Sequence, residues 1–111
     1  MRRVIIESPF AGDVERNVMY ARAAMRDCLL HGEAPIASHL LYTQDGVLDD
    51  NDPEDRALGI EAGLIWAQVA DAAVFYVDYG WSPGMLAAKE RHLGAGVPIE
   101  ERSIVRISVL P

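Results

Sequence analysis

Residues 71–85, D-A-A-V-F-Y-V-D-Y-G-W-S-P-G-M, constrain the fold more than any other stretch of the chain. Ala72–Val77 is short and almost continuously apolar, the pattern of a strand buried on both faces, as in a parallel sheet covered by helices on each side. Asp78, Tyr79 and Gly80 end the run, and Ser82 and Pro83 supply an N-cap and a first helical residue. The strand therefore leads through a glycine turn into a helix whose unpaired N–H groups and positive dipole end face the turn. An oxygen-rich or anionic ligand suits such a place.

The same alternation of strand and helix extends in both directions. A first strand, Arg3–Glu7, is followed by a turn over Ser8–Gly12 and a long helix capped by Asp13, with Val14, Val18, Ala21, Met25 and Cys28 on one face and His31 and Gly32 at its end. Ala34–Ala37 forms a second short strand. Ser38–Asp52 is too polar and too rich in turn residues for a core element, and reads as a long loop of active-site type. Asp52, Pro53 and Asp55 start a second helix that runs to about Ala70. A third helix spans Pro83 to Leu93, Gly94 and Gly96 stop it, and Val97–Glu101 returns to extended structure, with Ser103–Leu110 available as a further edge strand. This order implies an α/β fold: three layers, flavodoxin-like or Rossmann-like, with a parallel sheet of four to five strands and helices on both faces. Ligands of such sheets bind beyond the carboxyl ends of the strands, so the loops at Ser8, His39 and Asp78 are expected to share one rim.

The 111 residues fit a single domain, 1–111, with no linker or internal repeat to divide it. A net charge of −7 lacks the basic face that a nucleic acid polymer requires, whereas a free nucleotide needs only a few oriented N–H groups. The opening Met1-Arg2-Arg3 leads into an apolar run too brief for a signal peptide or membrane span, and a cytoplasmic protein without membrane contact is expected. One cysteine, Cys28, sits beside leucines on a helix as a core residue. No metal site and no cofactor are expected, because three histidines and one cysteine lack ligand spacing and the D-D-N-D-P-E-D run lacks the glycine of a calcium loop, reading instead as helix capping. The second helix carries two apolar stripes, Ala57-Ile60-Leu64-Ala67 and Leu58-Ala62-Ile65-Val69. A small sheet covers only one of them, so the surplus face predicts a homo-oligomer through this helix.

Each candidate residue has a functional and a plainer reading. Ser8 and Pro9 open a turn or place a hydroxyl on a ligand, and Phe10 stacks on a base or closes the core. Asp13 reads as an N-cap. His39 lies in the polar loop within reach of a substrate, whereas His31 and His92 read as a helix-end and a surface histidine. Asp71 orients a sugar hydroxyl or satisfies backbone groups before the strand. Asp78, a carboxylate at a strand's carboxyl end beside Gly80, is the stronger functional candidate. Glu7 approaches it if the first and third strands are neighbours, giving an acid pair able to activate water. Tyr79 and Trp81 form an aromatic wall or an interface anchor.

Three segments, E-S-P-F-A-G-D, A-S-H-L-L-Y and D-Y-G-W-S-P-G-M, together with the L-D-D-N-D-P-E-D-R lead into the second helix and Asp71, make the chain resemble the nucleoside 2-deoxyribosyltransferase superfamily and its small relatives over nearly its whole length. The resemblance implies a flavodoxin-like sheet, oligomers and a nucleoside or nucleotide as ligand, with Ser8, Pro9, Phe10, His39, Asp71, Gly80, Ser82, Gly84 and Met85 as ligand contacts. Catalytic members carry a nucleophilic glutamate four residues after the turn glycine. Counted from Gly84, that position is Ala88, which has no nucleophile. Glu90, two residues on, points about 200° around the helix. The expectation is therefore a nucleoside- or nucleotide-binding protein. The alternatives are an N-glycosidase or deoxyribosyltransferase working through Asp78 or Glu7, and a protein-interaction module on the same scaffold.

Overall fold

The computed structural model describes residues 1–104. Its elements are β1 (Arg2–Glu7), α1 (Val14–Leu30), β2 (Glu33–Ile36), α2 (Ser38–Leu41), α3 (Pro53–Ala67), β3 (Ala72–Tyr76), α4 (Pro83–Gly94) and β4 (Ile99–Arg102). The strands form one parallel sheet in the order β2-β1-β3-β4, with Arg2 beside Glu33, Glu7 beside Phe75 and Val74 beside Glu100. The chain moves outward from β1 to β2, then crosses back over β1 to β3 and β4. Right-handed crossovers in opposite directions place their helices on opposite faces.

The packing follows that rule. Val4, Ile6, Val74 and Tyr76 point to one side and pack under Tyr20, Ala24 and Cys28 of α1. Ile5, Ala73 and Phe75 point to the other and pack under Ala67 of α3 and Met85 and Ala88 of α4. Every residue of β3 is buried, as its continuous apolar run required. Burying each large aliphatic or aromatic side chain of this kind contributes about 1.5–3 kcal/mol.

Local chemistry sets the element ends. Asp13 accepts the Arg16 N–H at the start of α1, and Ser82 accepts the Met85 N–H at the start of α4, with Pro83 in the first turn. Asp52 occupies the N-cap of α3 in an extended conformation, but its side chain makes no capping bond. The acids before α3 and in its first turn act otherwise: Asp49 accepts the Asn51 N–H, Asp55 accepts the Asp49 N–H, and Asp50 pairs with Arg56. The expected loop over 38–52 also contains the single helical turn α2, and α3 ends at Ala67 instead of near Ala70. The edge strand expected over Ser103–Leu110 lies largely outside the described residues.

Two glycines one turn apart on α3 let α2 and its loop approach. A Cβ at Gly63 would lie 2.7 Å from Ser38 Oγ and 3.1 Å from Ser38 Cβ, and one at Gly59 would lie 3.2 Å from Leu48 Cδ1. The surplus stripe of α3 and the turn after it remains uncovered, with Leu58, Ile65 and Val69 more than half exposed at 56%, 58% and 62%.

Candidate functional site

A cavity of about 300 Å³ opens beyond the carboxyl ends of β1 and β3, between the β1–α1 turn, α2 with its loop, α3 and α4. Strand order reverses between β1 and β3, so this is the switch-point crevice of an open parallel sheet. Its volume is at the small end for ligand pockets. The wall contains Glu7, Ser8 and Phe10 from the first strand and turn, and His39, Tyr42 and Thr43 from α2 and its loop. Helix α3 adds Arg56, Gly59, Ile60 and Gly63, and the α4 segment adds Ser82, Gly84, Met85, Ala88, Arg91 and His92.

Two histidine pairs flank the end of β1. His39 Nε2 lies 2.7 Å from Ser8 Oγ, and His92 Nε2 lies 2.7 Å from Glu7 Oε2. In both rings Nδ1 is buried with no partner among the described residues. A buried N–H without an acceptor costs more than an unused lone pair, so both rings place their proton on Nε2. His92 then donates to the Glu7 carboxylate. His39 donates to Ser8, whose own hydroxyl proton is left to donate toward the cavity. Burial pushes the His39 imidazole below its ordinary range, with the carboxylates of Glu7 and Asp50 pulling the other way, which keeps the ring neutral.

The turn that carries Ser8 and Phe10 is held by Asn17, a residue 1% exposed whose Nδ2 donates to the carbonyls of Phe10 and Ala11 at 3.0 and 3.1 Å. The Phe10 ring meets the His39 ring edge-on at 6.5 Å. Across the cavity, Tyr42 accepts a bond from Trp66 Nε1 at 3.0 Å, which ties the α2 loop to α3.

Of the residues singled out from sequence, the cavity brings together Glu7, Ser8, Phe10, His39, Ser82, Gly84 and Met85. Ala88, where the resemblance expects a nucleophile, is in the same wall. Pro9 lies between two lining residues without joining them. Gly80 lies in the β3–α4 turn with φ +81° and donates its N–H to Val77, also outside the wall.

The expected pairing of Glu7 with Asp78 is corrected. Glu7 stands beside Phe75, on the α3 and α4 side, and an odd step of three from Phe75 turns Asp78 to the α1 side. There Asp78 accepts from the Tyr20 hydroxyl, the Ser103 hydroxyl and the Ile104 N–H. Asp71 is also elsewhere: as the residue preceding β3 it lies at the amino edge of the sheet, accepting the Arg3 N–H at 2.7 Å. The aromatic wall likewise moves. Tyr79 packs on Tyr20, and Trp81 stacks on Phe75 at 5.0 Å, so Phe10 and Tyr42 are the six-membered rings that line the cavity.

Sequence reasoning missed His92, which is 3% exposed and not on the surface. The signal was its spacing, one turn beyond Ala88 and seven residues beyond Met85, on the buried face of α4. Asp50 and Asp55, read as capping, and Arg56, noted only as the end of the lead into the second helix, also line the cavity.

Among the described residues no group of acids, histidines and cysteine is placed to hold a metal ion, and no helix is long and apolar enough to cross a membrane. A family model described as a domain of unknown function, DUF7768, matches residues 2–102. No curated protein matches the chain. Among solved structures, the fold is similar to that of a 2-deoxyribosyltransferase from the psychrotolerant bacterium Bacillus psychrosaccharolyticus, with 17% identity over 96% of this chain and 79% of that one and a TM-score of 0.61.

Proposed function

The chain belongs to the DUF7768 family, and from the chemistry of its cavity we propose that it binds a nucleoside or nucleotide. The observation that carries the reading is the switch-point cavity, where the Ser8 hydroxyl, Ser82, and the Phe10 and Tyr42 rings surround about 300 Å³. Hydroxyl donors suit a sugar and the flat rings suit a base. The similarity in fold to a 2-deoxyribosyltransferase supports the same ligand class.

Cleavage of the N-glycosidic bond is a second reading, favoured by one observation: Glu7, held by His92, lines the same cavity as Ala88. In that reading Glu7 takes a proton from water as the water oxygen attacks the anomeric carbon, the base departs with the bond electrons and takes up a proton from solvent, and Glu7 returns its own proton to solvent. Asp78 has no part in it, since it faces the other side of the sheet. The uncovered Leu58, Ile65 and Val69 support a homo-oligomer through α3, or a partner protein on that face if the scaffold serves as an interaction module.

The test is thermal unfolding of the chain with a panel of nucleosides and nucleoside monophosphates, followed by chromatography for free base. A ligand at a hundred times its Kd adds about 2.7 kcal/mol and raises Tm. No shift with any member removes the binding reading. Free base that disappears with Glu7→Gln makes the protein a glycosidase.

A further inference from the structure

Each charged side chain in the cavity wall has a hydrogen-bond partner among the described residues, with one exception. Arg56 meets both Asp50 oxygens at 3.1 and 3.3 Å, Glu7 meets His92 at 2.7 Å, and Asp55 accepts the Asp49 N–H at 2.9 Å. Arg91 lines the same wall from α4, half-buried, and its guanidinium meets no acceptor among the described residues. Glu7, the carboxylate that α4 does engage, is held by the neighbouring His92.

A guanidinium stays charged throughout the working pH range, and its planar fork of donors matches the oxygens of a phosphate or carboxylate. The same cavity also has apolar lining, Ile60, Leu64, Met85 and Ala88, which lowers the dielectric in the cavity and strengthens a pair with an incoming anion. Resting on the nucleoside-or-nucleotide reading above, we infer that Arg91 is the anion contact of this cavity and that its ligand class is the nucleoside monophosphate, not the free nucleoside. Gly84 and Arg91 are separated by about 10 Å along the helix axis. The phosphate therefore lies at the Arg91 end, and the sugar and base extend toward Ser82 and the α4 N-terminus.

Calorimetric titration of the full chain with paired nucleosides and their 5′-monophosphates tests this. The expected result is a preference for the monophosphate of about tenfold to a hundredfold, the range for hydrogen bonds to charged groups. Arg91→Gln brings the ratio of the two affinities to about one, with a cooperative unfolding transition showing that the variant folds, and Arg91→Lys keeps part of the preference. Equal affinity for both classes in the wild type, or a preference that survives Arg91→Gln, overturns the inference and leaves the binding reading standing. Failure of both classes to bind overturns the two together.

Discussion

Single side chains carry the site, and the most consequential one outside the wall is Asn17. Its two bonds to the Phe10 and Ala11 carbonyls hold the turn that presents Ser8 and Phe10. Asn17→Ala leaves those carbonyls without a donor, with an expected loss of about 1–3 kcal/mol in urea unfolding and a parallel loss of ligand affinity. An unchanged midpoint would show that the turn holds itself. Sequence reasoning placed Ser8 and His39 on one rim, and they meet at 2.7 Å, because both follow the carboxyl ends of parallel strands. It missed the side to which each neighbour points. A strand reverses direction at every residue, so the register of Glu7 beside Phe75 decides that Asp78 faces away, and that register is set by pairing across distant segments. Asp71 keeps its backbone role, accepting the Arg3 N–H, but lies away from the cavity for a related reason: a residue that precedes a parallel strand lies at the edge opposite the site.

At the scale of elements, the helices were read well where caps and spacing are local, as with Asp13 before α1 and Ser82-Pro83 before α4. The turn α2 was hidden because it is too short to show a helical period, and it exists through contact with α3 at Gly63. That contact yields a prediction of sign. Alanine at Gly63 gains about 1 kcal/mol of helix propensity, yet its Cβ meets Ser38 Cβ at 3.1 Å, and overpacking of this kind costs about 1–3 kcal/mol. Gly63→Ala is therefore expected to be destabilising, and Ser38→Gly in the same chain to recover most of the loss. A stabilised single variant in chemical unfolding would show that α2 moves aside freely. The same helix predicts assembly. Ile65→Asp places a charge in the exposed stripe of α3 and should convert an oligomer to single chains by sedimentation, whereas a wild-type mass of one chain at micromolar concentration would refute assembly through this face.

Over the whole molecule, an ionic network ties the sheet together across strands that are distant in sequence. Glu33 of β2 meets Arg102 of β4 at 2.6 Å and Arg2 of β1 at 2.9 Å. Its hydrogen bonds to Arg102 hold the carboxyl at about 2, down from an ordinary 4.5. A carboxyl with a depressed folded value adds stability that is complete above the unfolded value and is lost as pH falls through the folded one. Stability should therefore decline between about pH 4.5 and about pH 2, and Glu33→Gln should flatten that slope. An unaltered slope would assign the acid sensitivity to other groups. The composition had indicated a single acidic domain, but a network joining residues 2, 33 and 102 depends on topology that no local pattern contains.

Backbone amide shift mapping by NMR, with nucleosides and their 5′-monophosphates titrated into the uniformly labelled chain, examines ligand and place together. Saturable shifts concentrated at Ser8, His39, Gly84, Met85, Ala88 and Arg91, with Asp71 and Asp78 little changed, are the expected result. No saturable shift with any compound, or shifts gathered around Asp71 or Asp78 instead, would contradict a nucleotide cavity at the β1–β3 switch point.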